Sequence, residues 1–182
     1  MMKIEIIQAT LAQRDAMQSL LELYQYDFSE FESEDVNEDG VYGYKYLDYY
    51  WTVPGHFPFF IKADGKLAGF ALVREIALEG LHRSSYFKIN EFFILKKYRK
   101  EGIGKRAACY LFDLYPGNWE VAELETNLPA QRFWRQVISS YTQGNYAEIR
   151  KDEWDGPIQR FTTAPCFSPR TGTTLANFES YV

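Results

Sequence analysis

The densest concentration of chemistry in this sequence lies between Lys96 and Arg106. Six basic residues, Lys96, Lys97, Arg99, Lys100, Lys105 and Arg106, stand there against one acid, Glu101, and are interleaved with Gly102 and Gly104. The 182-residue chain as a whole carries a formal charge of -5, so the local sign is reversed. Lys105 and Arg106 would fall in the first turn of a helix, where the macrodipole disfavours cations by roughly a few tenths of a kcal/mol each. An anion placed at that turn removes the conflict. Glycines without side chains let backbone N–H groups approach phosphate oxygens closely, and a helix N-terminus adds partial positive charge.

Two known phosphate-binding patterns compete for this stretch. Gly102-Ile103-Gly104-Lys105-Arg106-Ala107 fits G-x-G-x-x-G/A, with Glu123 or Glu125 near the spacing of a ribose-binding acid, which would make the chain a dinucleotide-binding oxidoreductase. Two features oppose it. Six mostly charged residues, Lys96 to Glu101, separate the apolar Leu95 from Gly102, whereas the dinucleotide turn follows its strand almost directly. The surrounding elements also do not form a series of parallel βαβ units. No G-x-x-x-x-G-K-[ST] occurs, so a Walker A loop is excluded.

The elements that position this turn can be read from periodicity and turn chemistry. Residues 3–8 predict a strand, and Thr10-Leu11-Ala12-Gln13 has the form of a capping box for a helix whose apolar face is Leu11, Met17, Leu20, Leu21 and Tyr24. From Asp27 to Gly40 the chain is acidic and loop-like, and the tyrosine-dense stretch Tyr42 to Trp51 suggests a second helix. Phe57 to Ala63, Asp64-Gly65 and Lys66 to Ile76 read as a β-hairpin, because Asp-Gly supplies the positive φ angles of a two-residue turn. His82 to Leu95 is the next strand, Gly104 to Tyr115 a helix stopped by Pro116-Gly117, and Trp119 to Glu125 another strand. Pro129 to Ile138 fits a helix with proline in its first turn, and Tyr146 to Arg150 and Ile158 to Thr162 are final strands. The order predicts one α+β domain over residues 1–163 with a mixed, mostly antiparallel central sheet flanked by helices, followed by an irregular tail over 164–182.

Composition narrows the function. An acidic chain is repelled by nucleic-acid backbones and anionic membranes, so neither is an expected partner. Two cysteines, Cys109 and Cys166, and two histidines without metal-ligand spacing argue against a zinc site. Asp35-Val36-Asn37-Glu38-Asp39-Gly40 imitates the start of an EF-hand loop, but position twelve is Tyr46 rather than glutamate, so no metal is expected. No secretory leader or membrane span is recognisable, which predicts a cytoplasmic protein with reduced thiols.

Arg99-x-x-Gly102-x-Gly104, preceded by the strand Glu91-Phe92-Phe93-Ile94-Leu95 and by Tyr98, resembles the pyrophosphate-binding motif of the GNAT superfamily of N-acetyltransferases. Asn127-Leu128-Pro129-Ala130-Gln131-Arg132-Phe133-Trp134 is similar to that family's second motif, Asn-x-x-Ala-x-x-(apolar)-Tyr, at the usual distance. The two cover about residues 86–138. The resemblance implies an acetyl-coenzyme A-dependent transfer of acetyl to an amine, with splayed strands around the cosubstrate. The pyrophosphate would be bound at the motif residue Arg99 and held by backbone N–H groups of Lys100, Glu101, Gly102, Ile103, Gly104 and Lys105. Phe93, Ile94 and Leu95 would bind the pantetheine arm together with Asn127, Ala130 and Phe133, and a strand-end N–H would stabilise the oxyanion.

The resemblance makes Glu91 the candidate general base, on one face with Phe93 and Leu95 by strand alternation. Trp134 stands where the family often has a tyrosine that protonates the departing thiolate. An indole N–H cannot do so, although a thiol titrating near about 8.5 leaves readily without help; Trp134 would instead pack on the thioester arm. A catalytically weak acyl-coenzyme A-binding or sensor module is therefore the alternative to an active enzyme. Glu30, Glu32, Glu34, Asp35, Glu38 and Asp39 would attract a cationic acceptor, either a small-molecule amine or a protein amine, with the aromatics of 42–51 as pocket walls.

Overall fold

The computed structural model describes residues 2–78 and 85–164. The chain forms strand β1 (Ile4–Gln8), a 3-10 turn at Leu11–Gln13, helix α1 (Arg14–Phe28), the single-turn helix α2 (Tyr49–Thr52), and strands β2 (His56–Ala63), β3 (Lys66–Ala77) and β4 (Ser85–Ile94). Helix α3 (Ile103–Leu114), strand β5 (Gly117–Ala122), helix α4 (Leu128–Thr142) and strands β6 (Ala147–Lys151) and β7 (Trp154–Thr163) follow. The strands make one sheet in the order β1-β2-β3-β4-β5-β7-β6. Only β4 and β5 run parallel; the other neighbours are antiparallel. This is the α+β architecture that the turn signals predict.

The local reasons are visible at several ends. Gln13 Oε1 accepts the Thr10 amide at 3.0 Å, as the capping box requires. Asp64 and Gly65 adopt φ angles of 49° and 76°, so the hairpin turn is the one that Asp-Gly encodes. Three predictions differ from what folds. The tyrosine-rich stretch forms only one helical turn, because Glu22 Oε2 and Oε1 accept from the Tyr42 and Gly43 amides (2.8 and 2.9 Å) and hold that part as a loop. α3 ends just before Pro116 as predicted, but β5 starts at Gly117 rather than Trp119, Gly117 pairing with Thr163. β5 ends at Ala122, not Glu125, because the following backbone crosses over Gly156: a Cβ there would lie 1.9 Å from Glu123 O. The predicted start of β4 at 82–84 and the tail beyond Ala164 lie outside the described residues.

Helices α3 and α4 bury Ala108, Leu111, Phe112, Trp134, Val137 and Ile138 against Val73, Ile89, Trp119, Val121 and Phe161 on one face of the sheet. On the other face, α1 and α2 bury Met17, Leu20, Leu21 and Tyr50 against Phe60, Phe70, Leu72 and Phe93. Both faces of the central strands are covered, which explains the unbroken apolar run in β3.

Candidate active site

The site begins with a break in the sheet. β4 and β5 pair only over Phe87–Ile89 and Trp119–Val121. The ladder between β3 and β4 slips at Leu72/Val73, leaving Asn90 as the extra residue of a β-bulge. Beyond it the two strands part. β4 continues along β3, while the Glu123 and Glu125 amides follow β7 through Pro157 O (3.1 Å) and Asp155 O (3.0 Å). Leu95 N–H is bonded to Ala68 O at 2.9 Å. Alternation then turns the Phe93 peptide the same way and leaves the peptide groups of Phe92 and Ile94 facing the gap.

At the foot of the gap lies the glycine turn. Lys100 (φ 66°) and Gly102 (φ 74°) are left-handed, and α3 starts at Ile103 with Gly102 as its N-cap. The first backbone bond of the helix is donated by Arg106, to Gly102 O at 3.1 Å. Among the described residues, the amides of Lys100 to Lys105 donate no hydrogen bond outside the helix, so the helix start presents its unspent donors at the gap. The Arg99 side chain does something else. Its Nε donates to Ile94 O at 2.7 Å and its guanidinium pairs with Asp27 of α1, which also takes Lys96 at 2.9 Å. Burial would raise the Asp27 carboxyl, but the hydrogen bonds from Arg99 and Lys96 prevail and lower it. Arg99 thus staples the turn to α1 and leaves anion contacts to the backbone. Lys105 reaches Ser140 Oγ of α4 at 2.9 Å.

Gly104 is demanded by packing. A Cβ would stand 3.1 Å from the Phe133 ring and 3.6 Å from Ile94, so its absence lets α3 and α4 close behind the gap. Asn127 caps α4, its Oδ1 accepting from Ala130 N–H at 3.1 Å. Gln131 Nε2 donates to Leu124 O and Glu125 O (2.9 and 3.0 Å), fixing the wall opposite β4. Trp134 is buried, its ring 5.0 Å from both Phe92 and Phe133 and 6.5 Å from Phe112. It underlies the gap on the α3–α4 face.

Glu91 points to the opposite face. Tyr24 donates to its Oε2 at 2.7 Å, while Tyr44 (2.9 Å) and Asn90 (3.1 Å) donate to Oε1. Burial pushes the carboxyl pKa up; the tyrosine hydrogen bonds work against it. The phenols of Tyr24 and Tyr44 are raised in turn, by burial first and by the Glu91 charge second. The acidic loop passes nearby: Thr126 donates to Phe31 O at 3.5 Å, and the Glu32 carboxyl is raised by burial and by Glu34. Asn37 Oδ1 accepts the Asp39 and Val41 amides, so the segment resembling a calcium loop is closed by its own asparagine.

The structure therefore gathers Glu91, Ile94, the 99–105 turn, Asn127, Ala130 and Phe133 around one gap, with Phe93 and Leu95 directed to α1 and Trp134 beneath. Sequence reasoning missed Tyr24 and Tyr44 as partners of Glu91, Asp27 as partner of Arg99, and the bulge at Asn90. Glu123, considered in the sequence only as a ribose-binding acid, is buried, and that burial pushes its pKa up to about 8 against the hydrogen bond from Gln159. The tyrosines were visible as a cluster, but no local pattern joined them to β4.

Comparison with known proteins agrees with this geometry. The family model described as Acetyltransferase (GNAT) family matches residues 17–137. No curated protein sequence matches. Among solved structures, the PaiA N-acetyltransferase of Thermoplasma acidophilum in complex with coenzyme A is 12% identical and superposes with a TM-score of 0.60, over 88% of this chain and 99% of that one. An aminoglycoside acetyltransferase from an uncultured soil metagenomic sample, in complex with sisomicin, is 13% identical with a TM-score of 0.62, over 83% and 93%. A GNAT-family acetyltransferase of Staphylococcus aureus Mu50 gives 13% and 0.57, over 88% and 99%.

Proposed function

Because the chain belongs to the GNAT family of acetyltransferases, we propose that it transfers acetyl from acetyl-coenzyme A to an amine held beside Glu91. The observation that carries this is the parting of β4 and β5 directly above a helix start whose amides are unspent. Support for the cosubstrate comes from fit. The turn supplies N–H donors and exposed cations for a pyrophosphate, and the outward Phe92 peptide group and Ile94 N–H offer an amide-rich arm a strand-like edge, the Ile94 carbonyl being taken by Arg99. The Asn127 amide oxygen is used by the α4 cap, and among the described residues its N–H groups meet no acceptor and are left for the arm. Ala130 and Phe133 line the α4 side.

Glu91 takes the proton from the ammonium form of the acceptor, directly or through water. The neutral nitrogen then attacks the thioester carbonyl: a C–N bond forms, the C–S bond breaks, and the thiolate leaves and collects a proton from solvent. A strand-end N–H stabilises the charge that develops on the carbonyl oxygen. Trp134 carries no acid in this scheme and supports Phe92 and Phe133 under the arm. The neighbours that act on aminoglycosides favour a small-molecule amine as acceptor, in a cytoplasmic setting where the acetyl thioester is available.

Trp134 also motivates a second reading, a module that binds the thioester without transferring it. Thermal-shift titration with acetyl-coenzyme A, followed by thiol release in the presence of an amine panel, separates the two. Stabilisation with turnover is the expected result; stabilisation without turnover favours the module, and no stabilisation defeats both.

A further inference from the structure

Across the sheet, on the face that carries Glu91, runs a lateral row of charged side chains: Arg74 of β3 pairs with Lys88 of β4, Lys88 with Glu120 of β5, and Glu120 with Arg160 of β7. The opposite face at these levels is apolar, with Val73, Ile89, Trp119, Val121 and Phe161 in the core. Glu120 is 6% exposed and already shared, by Arg160 Nε at 2.5 Å and Lys151 Nζ at 3.2 Å. Glu91 is occupied by Tyr24, Tyr44 and Asn90. Four cations, Arg74, Lys88, Lys151 and Arg160, thus meet two carboxylates on one face of an acidic protein.

Two of those cations form no close ion pair. Among the described residues, neither Arg74 nor Lys88 makes a salt bridge within 4.0 Å or a side-chain hydrogen bond, and Arg74 Nε is buried without a partner. The Lys88 ammonium lies 5.3 Å from the Trp154 ring centroid and is lowered in pKa by burial. A third donor adjoins them. Tyr50 is 4% exposed, and its phenol, raised by burial and by the Glu91 charge, is lowered in return by the charge of Arg74 and by a hydrogen bond with Tyr44. A buried donor left unmade costs about 1–3 kcal/mol, more when charged. Arg74 Nε is such a donor, with the Lys88 ammonium at the neighbouring cross-strand position; an anionic ligand would remove that cost, and a guanidinium beside an ammonium matches a carboxylate well.

The bulge at Asn90 puts Lys88 and Glu91 on the same face, within about 10 Å along the strand at ~3.3 Å per residue. We propose that Arg74, Lys88 and Tyr50 form the anion subsite of the acceptor pocket, and that the acceptor is an amine carrying a carboxylate, an amino-acid-type substrate. This presupposes acetyl transfer at Glu91. The acidic loop at 30–39 then attracts the ammonium end while the floor receives the carboxylate.

The test compares amines that differ only by that group, lysine with cadaverine and ornithine with putrescine, using the full chain, acetyl-coenzyme A and thiol release. The carboxylated member should show a kcat/KM at least about tenfold higher, the value of one charged hydrogen bond. Lys88→Met and Arg74→Gln should raise KM for lysine about tenfold or more, with the effect on KM rather than kcat, and move the lysine-to-cadaverine ratio toward one; Arg74→Lys should restore part of it. Equal use of cadaverine, or a ratio unmoved in variants that melt like the parent, overturns the subsite and leaves acetyl transfer standing. If no amine is acetylated, acetyl transfer falls and binding decides the subsite. Thermal stabilisation by lysine but not cadaverine, lost in Lys88→Met, upholds it; equal or absent stabilisation overturns it.

Discussion

Tyr24 of α1 donates a 2.7 Å hydrogen bond to Glu91 of β4, a residue 67 positions later in the chain. The contact ties the first helix to the strand that lines the cosubstrate gap, and it sets the ionisation of the candidate base. Its partner on the other oxygen, Tyr44, brings the loop before α2 to the same carboxylate.

Both phenols favour the ionised carboxylate against the burial that disfavours it. Tyr24→Phe and Tyr44→Phe should therefore each raise the Glu91 pKa further and displace the acid limb of the kcat/KM profile to higher pH. Glu91→Gln should lower kcat by about 100-fold or more and remove that limb. A pH–rate series with one amine measures both; an unshifted limb in the tyrosine variants would free Glu91 from the role of base.

The Asp27 staple should matter for cosubstrate binding. Asp27→Asn leaves Arg99 and Lys96 without their shared carboxylate, loosening the turn that presents the amides. KM for acetyl-coenzyme A should rise about 5- to 50-fold, equivalent to roughly 1–2 kcal/mol, with a smaller effect on KM for the amine. Initial rates at varied concentrations of each substrate check this.

Gly104→Ala would force a Cβ to within 3.1 Å of the Phe133 ring, itself stacked on Phe92 at 6.0 Å. Destabilisation of about 1–3 kcal/mol is expected. Phe133→Leu in the same chain should recover part of it, which denaturant unfolding of the single and double variants would reveal.

Glu123 gives a pH signature in stability. Its folded pKa of about 8 lies above the ordinary glutamate value of 4.5, so the folded state holds the proton more tightly. The stability this contributes is complete below pH 4.5 and declines as pH rises toward 8. Glu123→Gln, which keeps the shape without the charge, should resemble the parent near pH 4 and exceed it by roughly 3 kcal/mol at pH 7, at 1.36 kcal/mol per unit. Urea unfolding across that range measures it. A constant difference would mean that Glu123 does not titrate as a buried acid.

Features fixed by neighbouring residues were legible in the sequence. Asp64-Gly65 announces a hairpin because few other pairs accept two positive φ angles, and the reversed charge around Gly102 and Gly104 marks the turn on which the family resemblance rests. What could not be read depends on distant pairing. Nothing near Arg99 indicates that Asp27 will take its guanidinium, 72 positions away. Nothing within β5 indicates that it will end at Ala122, because the cause is Gly156 in another strand. The tyrosines of 42–51 have helical composition, yet Glu22 of α1 captures two of the amides that a helix there would have used.

The extra residue at Asn90 has a consequence for how side chains are dealt out along β4. Before it, the even-numbered Lys88 shares a face with Arg74 while Ile89 enters the core beneath α3 and α4; after it, the odd-numbered Glu91 and Phe93 take the α1 face and Phe92 and Ile94 turn under the helices. Asn90 acts as a phase shift of one in a binary code. The same residues threaded without the bulge, with the upstream half held in register, would set Asn90 opposite Leu72 and Glu91 opposite Ala71 on the apolar side, and acid and ammonium would no longer look into a common space.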